Sequence, residues 1–339
     1  MTRHASTPLF PVPMLVERPW GGSALREWGK NCPDGKFIGE SWELGVVSGC
    51  DSVLDGSVFR HLSEACAYDD GVWLGLKGDK FPLLVKLIDA RETLSLQVHP
   101  SKDGMGFHAK NECWVVLAAP PGAYLYAGTA SDLPLDELME RLERGDVSVL
   151  AKIPVMRGDV VVIPAGTVHA ITGGLVIAEI QQASDTTYRL YDWGRVGLDG
   201  KPRELHLEQS RACLDPKPNL GLKPVPLAID PARELLCATP WFALSRLRPG
   251  KGEAIENNEG FRILMVLEGP VEMSWIGGRK ILERGRTVLL PAHQRVQVAG
   301  GLLLEAWEPN WDRDILGPVL CTGRSREQAV ALSAGTFGS

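Results

Sequence analysis

Much is scarce in this 339-residue sequence. No run reaches the roughly 18 apolar residues that a membrane span needs, so no membrane partner is expected. The segment from Met1 to Trp20 holds Pro8, Pro11 and Pro13 and lacks the apolar core of a secretion signal, which makes the cytoplasm the expected compartment. A basic surplus is also missing. Lys plus Arg number 36 against 42 Asp plus Glu, for a net charge of −6. Nucleic acid is therefore not an expected partner, because its phosphates call for a basic footprint. A local pocket can still oppose the global sign, and a locally positive pocket for a small anion is expected. The seven cysteines are odd in number and show no Cys-x-x-Cys spacing. That excludes a disulfide framework or a cysteine zinc cluster and fits reduced thiols. Histidines also number only seven, so the place of each is informative.

What is present is ordinary for a globular protein: 44% hydrophobic and 23% charged residues. The length suggests about two domains. Gly (37) and Pro (24) punctuate short β-branched and aromatic runs such as Leu83 to Ile88, Leu94 to His99, Cys113 to Leu117, Val160 to Ile163 and Leu175 to Ile180. Many short strands with frequent turns predict a mainly β protein, a sandwich or barrel. One helix is predicted near 131–145. Ser131 and Asp132 offer caps, Leu135, Leu138, Met139 and Leu142 share a face, and Gly145 stops it. A weaker helix is predicted over Glu204 to Leu214, followed by a proline-rich linker from Asp215 to Pro226. Strands then return. Gly158-Asp-Val-Val-Val-Ile-Pro164, His169 and Gly173-Gly174-Leu175 are echoed 127 residues later by Gly285-Arg-Thr-Val-Leu-Leu-Pro291, Val296 and Gly300-Gly301-Leu302. The echo predicts an internal duplication of one barrel unit, with domains at 1–214 and 227–339.

The first copy carries chemistry. In Leu94-Ser-Leu-Gln-Val-His99 a period of two sends Ser95, Gln97 and His99 to one face and the leucines and Val98 to the other. Glu112 heads the apolar run Glu112-Cys-Trp-Val-Val-Leu117, where a carboxylate is costly unless paired or metal-bound. The turn Pro164-x-Gly166-x-x-His169 aims a second imidazole inward. Either histidine alone reads as an ordinary core residue. Gln97, His99, Glu112 and His169 together read as a ligand set for zinc or a similar divalent metal.

Gly158-x5-Pro164-x-Gly166-x2-His169-x3-Gly173 resembles the second motif of the cupin superfamily, and Gln97-Val-His99 to Glu112 resembles a stretched first motif. More narrowly, Trp20-Gly-Gly22, Gly39-Glu-Ser-Trp-Glu43, Leu83 to Asp89, Leu94 to Pro100, Lys110-Asn-Glu-Cys-Trp114, Ser184 to Trp193 and Pro202-Arg-Glu-Leu-His206 resemble the type I mannose-6-phosphate isomerase family in its short bacterial form. The resemblance implies two cupin-type β-barrels (jelly rolls) with a few short helices, one Zn2+ per chain in the first barrel, and a sugar-phosphate substrate in a monomer or homodimer. It implies an aldose–ketose isomerase interconverting mannose 6-phosphate and fructose 6-phosphate through a metal-assisted enediol. The family's metal ligands fall on Gln97, His99, Glu112 and His169, its catalytic arginine on Arg189, an active-site carboxylate on Glu179, and its Lys-x-Glu pair on Lys110 and Glu112. Thr186 departs from the Asn usual in that segment.

Such chemistry needs electrophilic support for an oxyanion and a base within reach of the moving proton. Glu179 is a candidate base with a raised pKa, or else a structural partner for Arg189. Lys86 and Lys110 are candidate contacts for phosphate or hydroxyl groups. Asp185 is a candidate to touch substrate or fix Arg189, while Ser95 and Trp20 are candidates to line the sugar site. His4, His61, His108, His206 and His293 are not expected to ligate metal. In the second copy Val296 and Arg262 stand where His169 and Glu112 stand, so that barrel is expected to hold no metal and to cover the first or mediate dimer contacts. Two alternatives remain at this point: a non-catalytic sugar-phosphate-binding or regulatory cupin, and a metal-dependent cupin dioxygenase.

Overall fold

The computed structural model describes residues 7–78, 80–101, 109–216, 222–257 and 259–336. His4, His108 and most of the linker's first half lie outside them. The first part of the chain forms β1 (Phe10–Val12), β2 (Met14–Gly22), β3 (Ile38–Leu44), β4 (Val46–Val47), β5 (Cys50–Asp51), β6 (Val53–Asp55), helix α1 (Leu62–Ala67), β7 (Leu83–Ala90) and β8 (Leu96–Val98). It continues with β9 (Glu112–Ala118), β10 (Tyr124–Thr129), α2 (Leu135–Glu143), β11 (Leu150–Pro154), β12 (Val160–Ile163), β13 (His169–Ile171), β14 (Leu175–Gln182), β15 (Tyr188–Tyr191) and α3 (Leu207–Cys213). The second part forms β16 (Leu227–Ala228), β17 (Arg233–Ala238), β18 (Ala243–Leu247), β19 (Glu253–Asn257), β20 (Arg262–Glu268), β21 (Val271–Trp275) and β22 (Gly278–Leu282). It ends with β23 (Thr287–Leu290), β24 (Gln294–Ala299), β25 (Leu302–Trp307), α4 (Gly317–Cys321) and α5 (Arg326–Ala331).

Each part is a pair of antiparallel sheets. The N-terminal pair runs β11-β10-β13-β8-β15 and β12-β9-β14-β7-β3-β2. The C-terminal pair runs β19-β24-β21-β22 and β23-β20-β25-β18-β17-β16. Read from the matching end, β8-β13-β10-β11 reappears as β19-β24-β21-β22, and the six-stranded order reappears strand for strand. The architecture is thus mainly β and duplicated, built as facing sheets, and the hydrogen bonds among the described residues close neither pair into a barrel.

Alternation decides what each face does. In β7, Leu83, Val85 and Leu87 point one way and Lys86, Ile88 and Ala90 the other. The first set, with Val115 and Leu117 of β9 and Ala178 and Ile180 of β14, packs against Leu244 of β18, Ile263 and Met265 of β20 and Leu304 of β25. The two six-stranded sheets therefore lie back to back, buried on both faces. Cys113 and Cys237 meet across this seam with their sulfurs 3.6 Å apart. All seven cysteines are free thiols. A buried ion pair of the N-terminal part bonds across the seam: Lys30 Nζ lies 2.7 Å from Glu43 and donates to the carbonyl of Gly285, and Thr287 donates to Glu43.

The expected helix appears as α2, with Leu138, Met139 and Leu142 buried and Gly145 at φ +75° beyond its end. The expected caps do not act. The helix starts after Pro134, which makes no side-chain cap, and Ser131 and Asp132 stay upstream. The weaker helix is α3, shorter than expected at both ends, with His206 at its N-cap. No helix among the described residues is long and apolar enough to cross a membrane.

Candidate active site

The inner faces of the N-terminal sheets build one site. On β9 the alternation that sends Cys113 and Val115 to the seam turns Glu112 and Trp114 inward. On β14 it turns Glu179 inward, opposite Lys86 of β7 on one side and Trp114 on the other. From the facing sheet come Gln97 of β8 and His169 of β13, paired directly across that ladder. His99 follows β8. Gly166 makes the turn that delivers His169: it sits at φ +84°, its N–H donates to the carbonyl of His99, and a Cβ there would press on the Cys213 carbonyl.

His99, Glu112 and His169 form a fully buried cluster whose nearest ligand atoms all lie within 4.8 Å of one another. Each imidazole Nε2 is 3.3 Å from a Glu112 oxygen. Nδ1 of His99 faces the carbonyl of Thr186 at 2.9 Å, and Nδ1 of His169 faces that of Thr167 at 2.8 Å. A carbonyl only accepts, so each Nδ1 carries the proton and each Nε2 keeps a lone pair. That is the arrangement by which metal-binding histidines are oriented. Burial, helped by the Lys110 cation, pushes the His99 imidazole down to about 3, and burial lowers that of His169 as well. Both rings are therefore neutral near pH 7. Burial works against the Glu112 charge, but the Lys110 ammonium outweighs it and holds the carboxyl well below its ordinary range.

Neither Glu112 oxygen accepts a well-aligned hydrogen bond among the described residues, although the Lys110 ammonium is 3.0 Å from Oε2. Two neutral imidazoles and an ionised, under-satisfied carboxylate form a donor set that suits a divalent cation. Gln97 sits beside them with Nε2 3.1 Å from His169 Nε2. It would have to present its amide oxygen instead to serve as a fourth ligand.

A cleft of about 600 Å³ opens above this cluster. Gln97, Lys110, Ser95, Lys86, Glu179, Trp20, Asp185 and Arg189 all line it. Glu179 is buried and its carboxyl is raised, first by that burial and then by the Glu112 charge. Its partners are Trp114 Nε1 at 3.0 Å and Lys86 Nζ at 3.4 Å. The structure thus pairs Glu179 with Lys86, against the alternative of a partnership with Arg189. Lys86 also lies over the Trp42 ring. Arg189 donates from Nη1 to the Glu204 carbonyl at 2.7 Å, and its buried Nε meets no acceptor among the described residues. Trp20 is buried in the cleft wall, and Asp185 is exposed at its edge.

The expected positive pocket needs correction. Five cationic side chains and five carboxylates line the cleft. Several neutralise one another, as in Arg18–Glu40 at 2.7 Å. Arg189, whose side chain bonds only to a neutral carbonyl among the described residues, is the local surplus.

Sequence reasoning missed Glu40 and Arg18. Glu40 is buried in β3, accepts from Arg18 and from Trp42 Nε1, and lines the cleft. Its signal is the one that found Glu112: a carboxylate inside a strand whose every residue is buried.

Comparison with known proteins places this geometry among sugar-phosphate isomerases. Residues 12–124 match the family description "Phosphomannose isomerase type I, catalytic domain". The chain is 33% identical over 298 residues to mannose-6-phosphate isomerase ManA of Bacillus subtilis, covering 84% of this chain and 93% of that one. A crystal structure of the mannose 6-phosphate isomerase from Bacillus subtilis superposes with a TM-score of 0.81 at 27% identity, covering 89% of this chain and 99% of the other. A mannose 6-phosphate isomerase structure described as bound with zinc and yttrium shares the fold, with a TM-score of 0.71 at 18% identity, over 89% of this chain and 99% of that one.

Proposed function

The chain belongs to the type I mannose-6-phosphate isomerase family, and we propose that it interconverts mannose 6-phosphate and fructose 6-phosphate in the cleft of its N-terminal unit. One observation carries the site assignment. A buried carboxylate with under-satisfied oxygens faces two imidazoles that turn their Nε2 lone pairs toward it, directly beneath a cleft holding a raised carboxyl and an arginine with an idle donor.

His99, Glu112 and His169 would hold one Zn2+ per chain, with Gln97 as fourth ligand. When bound, the metal supplies positive charge that polarises or orients the sugar oxygens. The protein does the rest. Glu179 removes the proton from one sugar carbon and returns it to the neighbour, since its raised pKa brings it closer to the working pH than an ordinary carboxylate. Lys86, on its other oxygen, keeps it oriented. Arg189 offers its unbonded donor to the negative charge that develops on the enediol oxygen. Lys110 shields Glu112 and presents an ammonium to a substrate hydroxyl. Ser95 and Asp185 contact the sugar, and Trp20 closes one wall.

Two imidazoles and one carboxylate also suit iron(II) in a dioxygenase. The charged cleft above them and the named relatives favour the isomerase, and the intact constellation disfavours a retired binding module. The same reading takes residues 1–214 as the catalytic cupin domain and 227–339 as a second cupin-like barrel without metal, in a cytoplasmic monomer or homodimer. Leu9 and Phe10 are the exception to that division, since Leu9 bonds to Leu289 and Phe10 packs in the C-terminal core.

A coupled assay on zinc-loaded protein tests the proposal. Turnover of mannose 6-phosphate is expected, and Arg189→Ala should keep its metal while losing roughly 100-fold or more in rate. Absent turnover with zinc bound would replace the isomerase by a binding module.

A further inference from the structure

The C-terminal unit keeps the framework of the site and changes its charges. Glu112 heads β9 and faces Gln181, and Arg262 heads β20 at the corresponding place. Two residues on, Trp114 faces Glu179 and Leu264 faces Glu305, so Glu305 occupies the position of Glu179. The final strand is one residue out of step with the sequence echo, which is why that echo alone hides the match. Glu179 faces Lys86, and Glu305 faces Ser245. Glu40 lies opposite Ile88, and Arg233 opposite Leu247, at the same remove. Where Val296 replaces His169, its ladder places Ile255 and Asn257 at the positions of Gln97 and His99. The cation-binding set is thus dismantled, one carboxylate remains, and arginines stand where Glu40 and Glu112 stand.

Of these residues, Arg233, Ile255, Asn257 and Arg262 line a cavity of about 410 Å³, to which Arg313, Asp314 and Pro318 also contribute. Most of its charges are already matched. Arg233 holds Glu305 at 2.7 Å, Ser245 also donates to Glu305, Arg313 holds Glu259 and Asp314, and Arg295 holds Glu256 at 3.2 Å. Glu308, at the rim, is raised by burial. Arg262 is the exception. It lies over the Trp307 ring at 4.3 Å, and its one ion-pair contact among the described residues is with Glu305 at 3.4 Å. Arg262 and Trp307 both line the cavity, and the buried Nε of the one and Nε1 of the other meet no acceptor among the described residues.

We propose that this cavity binds a small oxyanion, the phosphoryl or carboxylate group of a metabolite-sized molecule, on the donors of Arg262 and Trp307. A cationic fork with an unused N–H beside an indole N–H is a donor pair suited to such a group. Loss of the imidazoles and gain of arginine turns the preference of the position from cation to anion.

Calorimetric titration of the full chain with inorganic phosphate, and separately with acetate, tests this. Arg189→Ala protein is used to weaken any contribution of the catalytic cleft, and what remains of it is common to parent and variants. Saturable binding of at least one probe is expected, weakened roughly tenfold by adding Arg262→Gln and several-fold by adding Trp307→Phe. Glu305 keeps Arg233 and Ser245 in the first variant, and the second removes only the donor. Binding of phosphate alone identifies a phosphoryl ligand, and binding of acetate a carboxylate. If neither probe binds, or both variants bind as tightly as their parent, the proposal fails. Wild-type isomerase turnover should be unchanged by either substitution, which separates this outcome from that of the catalytic cleft.

Discussion

Lys110→Met gives the sharpest test of the charge balance under the cleft. Lys110 and Glu112 are almost wholly buried, at 4% and 0% side-chain exposure, with the ammonium 3.0 Å from Oε2 and 3.2 Å from His99 Nε2. Glu112 lowers its own cost of burial chiefly through Lys110, because both neighbouring imidazoles are neutral. Methionine fills the stem's volume and removes the charge. Breaking one partner out of a buried pair costs about 3–5 kcal/mol. In the metal-free protein that loss should lower the melting temperature of the unit by about 10 °C, at roughly 2–4 °C per kcal/mol. A divalent cation on Glu112 supplies the missing positive charge, so zinc should erase most of the difference. By linkage the variant should bind zinc more tightly, by a factor on the order of 100 if about 3 kcal/mol is recovered. Thermal melting of both proteins with chelator and with excess zinc measures the cycle. Equal melting temperatures without metal, or the same zinc-induced shift in both, would refute the reasoning that Lys110 stands in for the cation's charge.

Other consequences are simpler to read. His99→Ala should lose its metal, with zinc content after dialysis near background while the fold persists by circular dichroism; full retention would remove His99 from the ligand set. Phe242→Ala, which empties a wholly buried position at the seam between the six-stranded sheets, should cost about 3–5 kcal/mol in denaturant unfolding. Glu305 is held below its ordinary pKa by Arg262 and Arg233 in spite of burial, so its contribution is present above the unfolded value of about 4.3 and fades as pH falls through the folded one. Glu305→Gln should therefore be less stable than wild type at pH 7, with the gap closing progressively below about pH 4; a gap that widens on acidification would reverse that sign.

The site was largely legible because a period of two is written into the residues themselves. Ser95, Gln97 and His99 alternate with Leu94, Leu96 and Val98, and the fold sends Leu96 and Val98 to the α2 side and Gln97 to the cleft. Glu112 announced itself as a charge heading an apolar run. Glu40 escaped because its strand, Ile38-Gly-Glu-Ser-Trp-Glu-Leu44, mixes two inward carboxylates that serve different places. Glu40 meets Arg18 at the cleft and Glu43 meets Lys30 at the seam, and only long-range pairing tells them apart. That the second copy covers the first was one of two roles the sequence offered, but which faces meet was not legible. A strand buried on both faces loses its alternation, and Leu83-Leu84-Val85 says only that water is absent, not what replaces it.

That packing carries a consequence for what this chain can do without. The smaller C-terminal unit keeps none of the proposed ligands at the positions of the proposed metal set, yet it still covers the outer wall of the larger one. Cut at the proline-rich join, the N-terminal portion would present Leu83, Val85, Val115, Leu117, Ala178 and Ile180 to solvent as one oily plane. Such a fragment should clump rather than work. The second copy is free to change its interior chemistry, but its outward-facing rows of leucine, isoleucine and methionine are tethered to its twin's survival.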